Sequence, residues 1–155
     1  MENRVFVFVY GTLKEGYGNS VVTKDYRVSV MRGWVHGRLF DLGAFPALRL
    51  GFIDTVYGEI HELKNPEKAI RRMDYLEGYS PDRPDNKNLY NRRAIMVNIM
   101  DDPEKSKVKC VVYEYGEPLE DEQEHIEDGI WDPRDIWKNN NDNYGKVREV
   151  KQNGA

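Results

Sequence analysis

Two short segments 66 positions apart hold residue types that can do chemistry together: Tyr10-Gly11-Thr12-Leu13, and Leu76-Glu77-Gly78-Tyr79. The first leaves an apolar run through a glycine, so the backbone N–H groups of Gly11, Thr12 and Leu13 can approach an anion closely and without loss of side-chain entropy. The second ends an apolar helical stripe on a carboxylate. Glu77 lies four residues after Met73 and seven after Ile70, which projects it onto the buried face of that helix. A carboxylate on a core-facing position costs stability unless it is paired or used. Burial and the negative helix end should raise its pKa toward the operating pH of a general acid/base.

The elements that must position these residues follow from local patterns. Arg4 to Tyr10 is continuously β-branched and aromatic, the composition of a central strand buried on both faces. Lys14 to Ser20 reads as a loop. Further β-rich stretches run over 27–40, broken by Gly33 and Gly37, and over 55–63, with a turn at 43–47. Asn65-Pro66-Glu67 predicts a helix start, with Asn capping free N–H groups and Pro pre-set at the first position. Ala69, Ile70, Met73 and Leu76 form its stripe, and Gly78 suits the left-handed residue that stops it. A polar loop over 80–88 precedes strands at 90–100 and 108–115, the latter read as the last.

At 155 residues the chain fits one domain. Five Phe, three Trp and ten Tyr argue against global disorder despite the high charge. The net charge of −4 is uneven: residues 117–135 carry −8 and the remainder +4, which speaks against nucleic acid as a partner. The chain therefore divides into a domain over 1–116 and an acidic extension over 117–155, packed on the domain or trailing from it. Ile130, Trp131, Ile136 and Trp137 offer that extension apolar anchors. The apolar run near Met1 is too short for a signal peptide and no stretch spans a membrane, so a cytoplasmic location without membrane partners is expected. Lone Cys110 reads as a buried structural thiol. His36, His61 and His125 lack ligand spacing, so no metal site is expected.

Taken in order, Tyr10-Gly11-Thr12-Leu13, Gly37-x-Leu39-Phe40-x-Leu42-x-x-Phe45-Pro46-Ala47, Gly58-Glu59-Ile60, Met73-Asp74-x-Leu76-Glu77-Gly78, Tyr90-x-Arg92 and Val112-Tyr113 resemble the γ-glutamylcyclotransferase-like proteins over residues 4–116. His61 departs from the family's usual aromatic, Met73 from its usual Leu, and the acidic extension has no counterpart. The resemblance implies an α+β fold, a small mixed barrel-like sheet flanked by helices, with the site at the barrel's mouth. It implies a cofactor-free reaction in which a γ-glutamylamine or γ-glutamyl peptide is cleaved by its own α-amine, releasing 5-oxoproline and a free amine. Glu77 would be its general acid/base, Tyr10 to Leu13 would bind substrate, and Tyr90 and Arg92 would orient Glu77 or substrate, or neutralise a carboxylate. The rival readings are a structural Glu77–Arg92 ion pair, and a binding module that keeps the cavity for a small ligand without turnover.

Overall fold

The computed structural model describes residues 3–119, 124–133 and 148–149. The first strand, β1 (Arg4–Val9), lies mid-sheet as its composition predicts. It pairs antiparallel with β5 (Thr55–Lys64) from Arg4↔Lys64 to Val9↔Glu59, and parallel with β7 (Lys107–Tyr115) at Val7↔Val111. β2 (Arg27–His36) pairs with β5 and with β6 (Tyr90–Ile99), and β6 with β7, so β1, β5, β2, β6 and β7 close into a barrel-like sheet. A smaller sheet places β3 (Arg38–Asp41) between β4 (Pro46–Arg49) and β8 (Glu124–His125). β9 (Arg148–Glu149) adds to β2. Among the described residues no helix is long and apolar enough to cross a membrane.

Strand alternation divides the apolar side chains between two clusters. Phe8, Ile60, Val97, Cys110 and Val112 join Leu39, Leu48 and Trp131 in one. Val7, Val9, Leu63 and Tyr113 join Ala69 and Met73 of α1 (Pro66–Leu76), the one α-helix among the described residues, in the other. Burying Met73 completely against the sheet is worth roughly 1.5–3 kcal/mol and holds the helix, and hence Glu77, against β1 and β7. Gly78 takes the left-handed conformation that ends α1, with φ 63°. Cys110 is buried, and burial pushes its thiol up to about 12, as suits an inert packing residue.

Several local expectations need correction. Asn65 makes no side-chain cap; it sits in the left-handed region with φ 50°, which Asn tolerates better than most residues. Gly33 does not break β2, which runs straight through it. It is glycine because a Cβ there would stand 2.6 Å from Ile60 Cδ1 and 2.8 Å from the Asn98 carbonyl. The 43–47 turn is shorter than read, because Pro46 and Ala47 already pair with Asp41 and Phe40. β7 is not the last strand, since β8 and β9 follow it. Lys14 to Ser20 holds part of a 3₁₀ turn, Gly18–Val22, within its loop.

Of the apolar anchors proposed for the extension, Trp131 is 6% exposed, and Ile130 packs against the same cluster. Ile136 and Trp137 lie outside the described residues.

Candidate active site

The end of β1, the hairpin between β3 and β4, and the C-terminus of α1 converge on one cavity. It is lined by Tyr10, Gly11, Thr12, Leu13, Phe45, Pro46, Glu77, Tyr90 and Tyr113, with Phe8 and Val9 at its base. Its void is about 360 Å³ with the open mouth and adjoining solvent included. The two segments 66 residues apart are therefore neighbours. Five of the six other residues expected at the site join them or belong to them; Arg92 does not, because its guanidinium turns away to Asp74.

The turn after β1 arranges its backbone for an incoming acceptor. The Gly11 carbonyl accepts from Lys14 N–H and the Thr12 carbonyl from Asn19 N–H, both internal to the loop. Asn19 also donates to Thr12 Oγ1 at 2.8 Å. No hydrogen bond among the described residues uses the N–H of Gly11, Thr12 or Leu13, which leaves three donors at the cavity wall. Farther along, Glu15 N–H donates to Glu59 Oε1, which also lies 2.9 Å from His61 Nε2. The polar His61 is thereby accommodated in the core: it helps hold the carboxylate that anchors the loop. Burial pushes its imidazole below the usual pKa, toward the neutral form.

Gly11 is required by contact. A Cβ at this position would stand 2.7 Å from Pro46 Cδ and 2.8 Å from Cγ, inside a rigid ring of the opposite wall. Gly11→Val is expected to lower the melting temperature and kcat/KM together, because the turn or the wall must move. Thr12→Ala should be much milder, since the N–H survives. Comparable damage from the two variants, in melting and kinetics, would make the Thr12 hydroxyl the important donor.

Glu77 follows the last helical residue. It is half-buried, yet burial of its carboxyl pushes the pKa up to about 7. Among the described residues no cation and no hydrogen-bond donor pairs with this carboxylate, so the rival Glu77–Arg92 ion pair is absent. Three tyrosines surround it, and each hydroxyl donates elsewhere: Tyr10 to the Tyr113 carbonyl at 2.5 Å, Tyr90 to the Pro46 carbonyl at 2.6 Å, and Tyr113 to Asp74 Oδ1 at 2.7 Å. Burial raises all three phenols above their usual pKa, with the Glu77 charge adding to it, so they stay neutral. A carboxylate half-ionised near neutral pH can accept a proton and return it.

The Tyr90 hydroxyl therefore does not orient Glu77. It pins the Phe45–Pro46 wall across the cavity, with Phe45 edge-on to the Tyr90 ring. Tyr90→Phe removes a hydrogen bond worth about 0.5–1.5 kcal/mol and strands the Pro46 carbonyl. It should raise KM more than it lowers kcat, with a fall of a few degrees in melting. A large melting loss with unchanged kinetics would make Tyr90 a packing residue only.

Tyr113, Phe45 and Pro46 line the cavity without having been singled out as site residues. Tyr113 belongs to the Val112-Tyr113 segment of the resemblance, and it shares one face of β7 with Val111 and Tyr115, the face turned toward α1. Phe45 and Pro46 likewise stand in a segment of the resemblance, and their local pattern reads only as a turn.

Residues 7–133 match the family described as gamma-glutamyl cyclotransferase, AIG2-like. The chain is similar to the gamma-L-glutamyl-butirosin B gamma-glutamyl cyclotransferase of Niallia circulans, 34% identical over 102 residues, and spans 63% of that relative's length and of its own in the match. Its fold is similar to that of an AIG2-like protein from Mus musculus, with a TM-score of 0.66, 24% identity, and coverage of 88% of this chain and 93% of that one. It is also similar to YkqA from Bacillus subtilis, with a TM-score of 0.62, 17% identity, and coverage of 89% of this chain and 43% of that one. At these identities the two solved structures speak for the fold alone.

Proposed function

Because the chain belongs to the gamma-glutamyl cyclotransferase, AIG2-like family, we propose that it cleaves γ-glutamyl amides by intramolecular attack, releasing 5-oxoproline and a free amine. The observation that carries this reading is the Glu77 carboxylate, desolvated, without a counter-charge, and facing the donors of the Tyr10–Leu13 turn across one small cavity. A module that only binds has no use for such a group.

In the proposed reaction the substrate's α-ammonium gives a proton to Glu77, and the free amine nitrogen attacks the γ-carbonyl carbon. The new C–N bond closes the five-membered ring, and the negative charge on the carbonyl oxygen is met by N–H donors of Gly11, Thr12 or Leu13. The C–N bond to the leaving amine then breaks as Glu77 returns its proton to the leaving nitrogen. Glu77, ionised again, takes the second proton from the ring nitrogen, which leaves the neutral lactam, and passes it to the departing amine, which leaves as an ammonium; two protons go from the attacking to the leaving nitrogen, and the reaction balances without water. Holding the chain in a folded attack conformation adds to the rate, since preorganised intramolecular reactions gain up to about 7–11 kcal/mol. The aromatic walls exclude water and fix this conformation.

The site recognises the γ-glutamyl half, so the leaving amine is proposed only as a class: an amino acid, a γ-glutamyl-linked lysine, or a γ-glutamylated biosynthetic product. The Niallia circulans relative is named for γ-L-glutamyl-butirosin B, which belongs in the same panel. Incubation of the full chain with these compounds and measurement of 5-oxoproline by mass spectrometry tests the reading. Calorimetric binding of γ-glutamyl compounds with no 5-oxoproline from any of them would leave a binding module.

A further inference from the structure

A second polar system reaches the cavity from behind. Asp74, on the turn of α1 before Glu77, uses both carboxylate oxygens: Oδ1 accepts from the Tyr113 hydroxyl at 2.7 Å, and Oδ2 from Arg92 Nη1 at 2.5 Å. The Tyr113 ring is cavity wall, and its carbonyl holds the Tyr10 hydroxyl. The Arg92 guanidinium also lies over the Tyr79 ring at 5.0 Å, and Tyr79 N–H donates to the Asp74 carbonyl at 2.9 Å. Asp74 thus ties the end of α1 to β6, to β7 and to the chain leaving the helix. The Asp74 and Arg92 side chains are 18% and 32% exposed, so water screens the pair only in part.

We infer that Arg92 and Asp74 are positioning residues for Glu77, Asp74 by fixing the Tyr113 wall and Arg92 by cancelling the Asp74 charge that otherwise stands one helical turn from the catalytic carboxylate. The inference rests on the reading of Glu77 as the proton carrier. Side chains three apart on a helix are neighbours, about 5–6 Å between Cβ atoms, and a like charge at that range disfavours ionisation. The titratable groups facing Glu77 from the packed elements are Tyr10 of the turn after β1, Tyr90 of β6 and Tyr113 of β7, none of which carries a positive charge. Arg92 is the cation that offsets Asp74, and it does so without entering the cavity, where it would pair with Glu77 and hold it ionised.

The geometry makes opposite demands on two substitutions. Arg92→Gln keeps a donor for Asp74 but removes the charge, and should move the Glu77 midpoint upward by about one pH unit. From a midpoint of about 7, that cuts the ionised fraction at pH 7 from roughly half to roughly a tenth. Asp74→Asn should move it downward, the double variant should fall between, and Arg92→Lys should restore the starting value. Carbon-13 carboxyl titration of the full chain, with the Glu77 resonance identified by its loss in Glu77→Gln, reads these midpoints independently of turnover. In kinetics, the kcat that Arg92→Gln loses at pH 7 should return near pH 9, which damage to packing would not allow. Shifts of the same sign in both single variants, or no shift in Arg92→Gln, would overturn the inference. Opposite shifts in a protein that forms no 5-oxoproline would uphold the electrostatic role and remove the proposed activity instead.

Discussion

Glu77→Gln is expected to abolish turnover and stabilise the protein, in a pH-dependent way. The amide preserves shape but cannot accept the ammonium proton, so kcat should fall at least about 100-fold with substrate binding largely kept. The stability effect follows from linkage. The folded carboxyl titrates near 7, above its ordinary 4.5, so between those values the folded chain holds a proton that the unfolded chain has released. Stability therefore declines as pH rises through this window, and at pH 8 the ionised, desolvated carboxylate costs on the order of 1–3 kcal/mol. The Gln variant escapes that cost. Its melting temperature should exceed that of the wild type at pH 8 and match it at pH 4, where both side chains are neutral. A Gln variant with near-normal kcat on a substrate the wild type turns over would remove Glu77 from the mechanism. Equal melting at pH 8 would mean that the carboxylate is compensated in the fold.

This trade-off explains why Glu77 is legible in sequence. A charge on the apolar side of a 3.6-residue period is a local contradiction, and such contradictions gather at working sites. β1 and α1 are legible for the same reason of period: Val5-Phe6-Val7-Phe8-Val9 admits only a strand, and Pro66 with the Ala69, Ile70, Met73 and Leu76 stripe only a helix. What escapes is set by distance along the chain. Tyr90 and Arg92 share a strand face, but two residues span nearly 7 Å, so one reaches the cavity while the other lies beyond its edge against Asp74. The Tyr90 hydroxyl meets a carbonyl 44 residues away, and the Tyr10 hydroxyl one 103 residues away. No local pattern encodes those partners, and their hydroxyls shape walls instead of touching the carboxylate. β8 is two residues long, below any period a sequence can express.

Residues 124–133 are the place where sequence and structure weigh most differently, and Trp131→Ala should be the most destabilising substitution in them. Its indole packs against Tyr17 with ring centroids 5.5 Å apart, and its carbonyl accepts from the fully buried Lys14 Nζ at 2.6 Å. The segment is stitched on elsewhere as well: Ile126 N–H donates to Leu39 O, Tyr57 N–H donates to Gly129 O, and the Tyr17 hydroxyl donates to Asp132. Gly129 itself, with φ 70°, leaves no room for a Cβ against the Thr55 carbonyl. Truncating a buried Trp costs about 3–5 kcal/mol, and for a domain of this size each kcal/mol is worth roughly 2–4 °C, so melting should fall by about 10 °C. Lys14 follows Leu13 directly and Tyr17 lies on the same loop, so the donors of the Tyr10–Leu13 turn should loosen with the segment, and kcat/KM should fall alongside stability. Deleting residues 120–155 should be worse than the point substitution, because it also removes β8 and the acceptor for Tyr57 N–H. Deleting only 134–155 spares every contact just named and should leave a cooperative transition. The proposed domain boundary then lies after Pro133. A 1–119 protein that melts like the full chain would place it near Gly116 instead and make the acidic extension a cover whose loss the barrel does not feel.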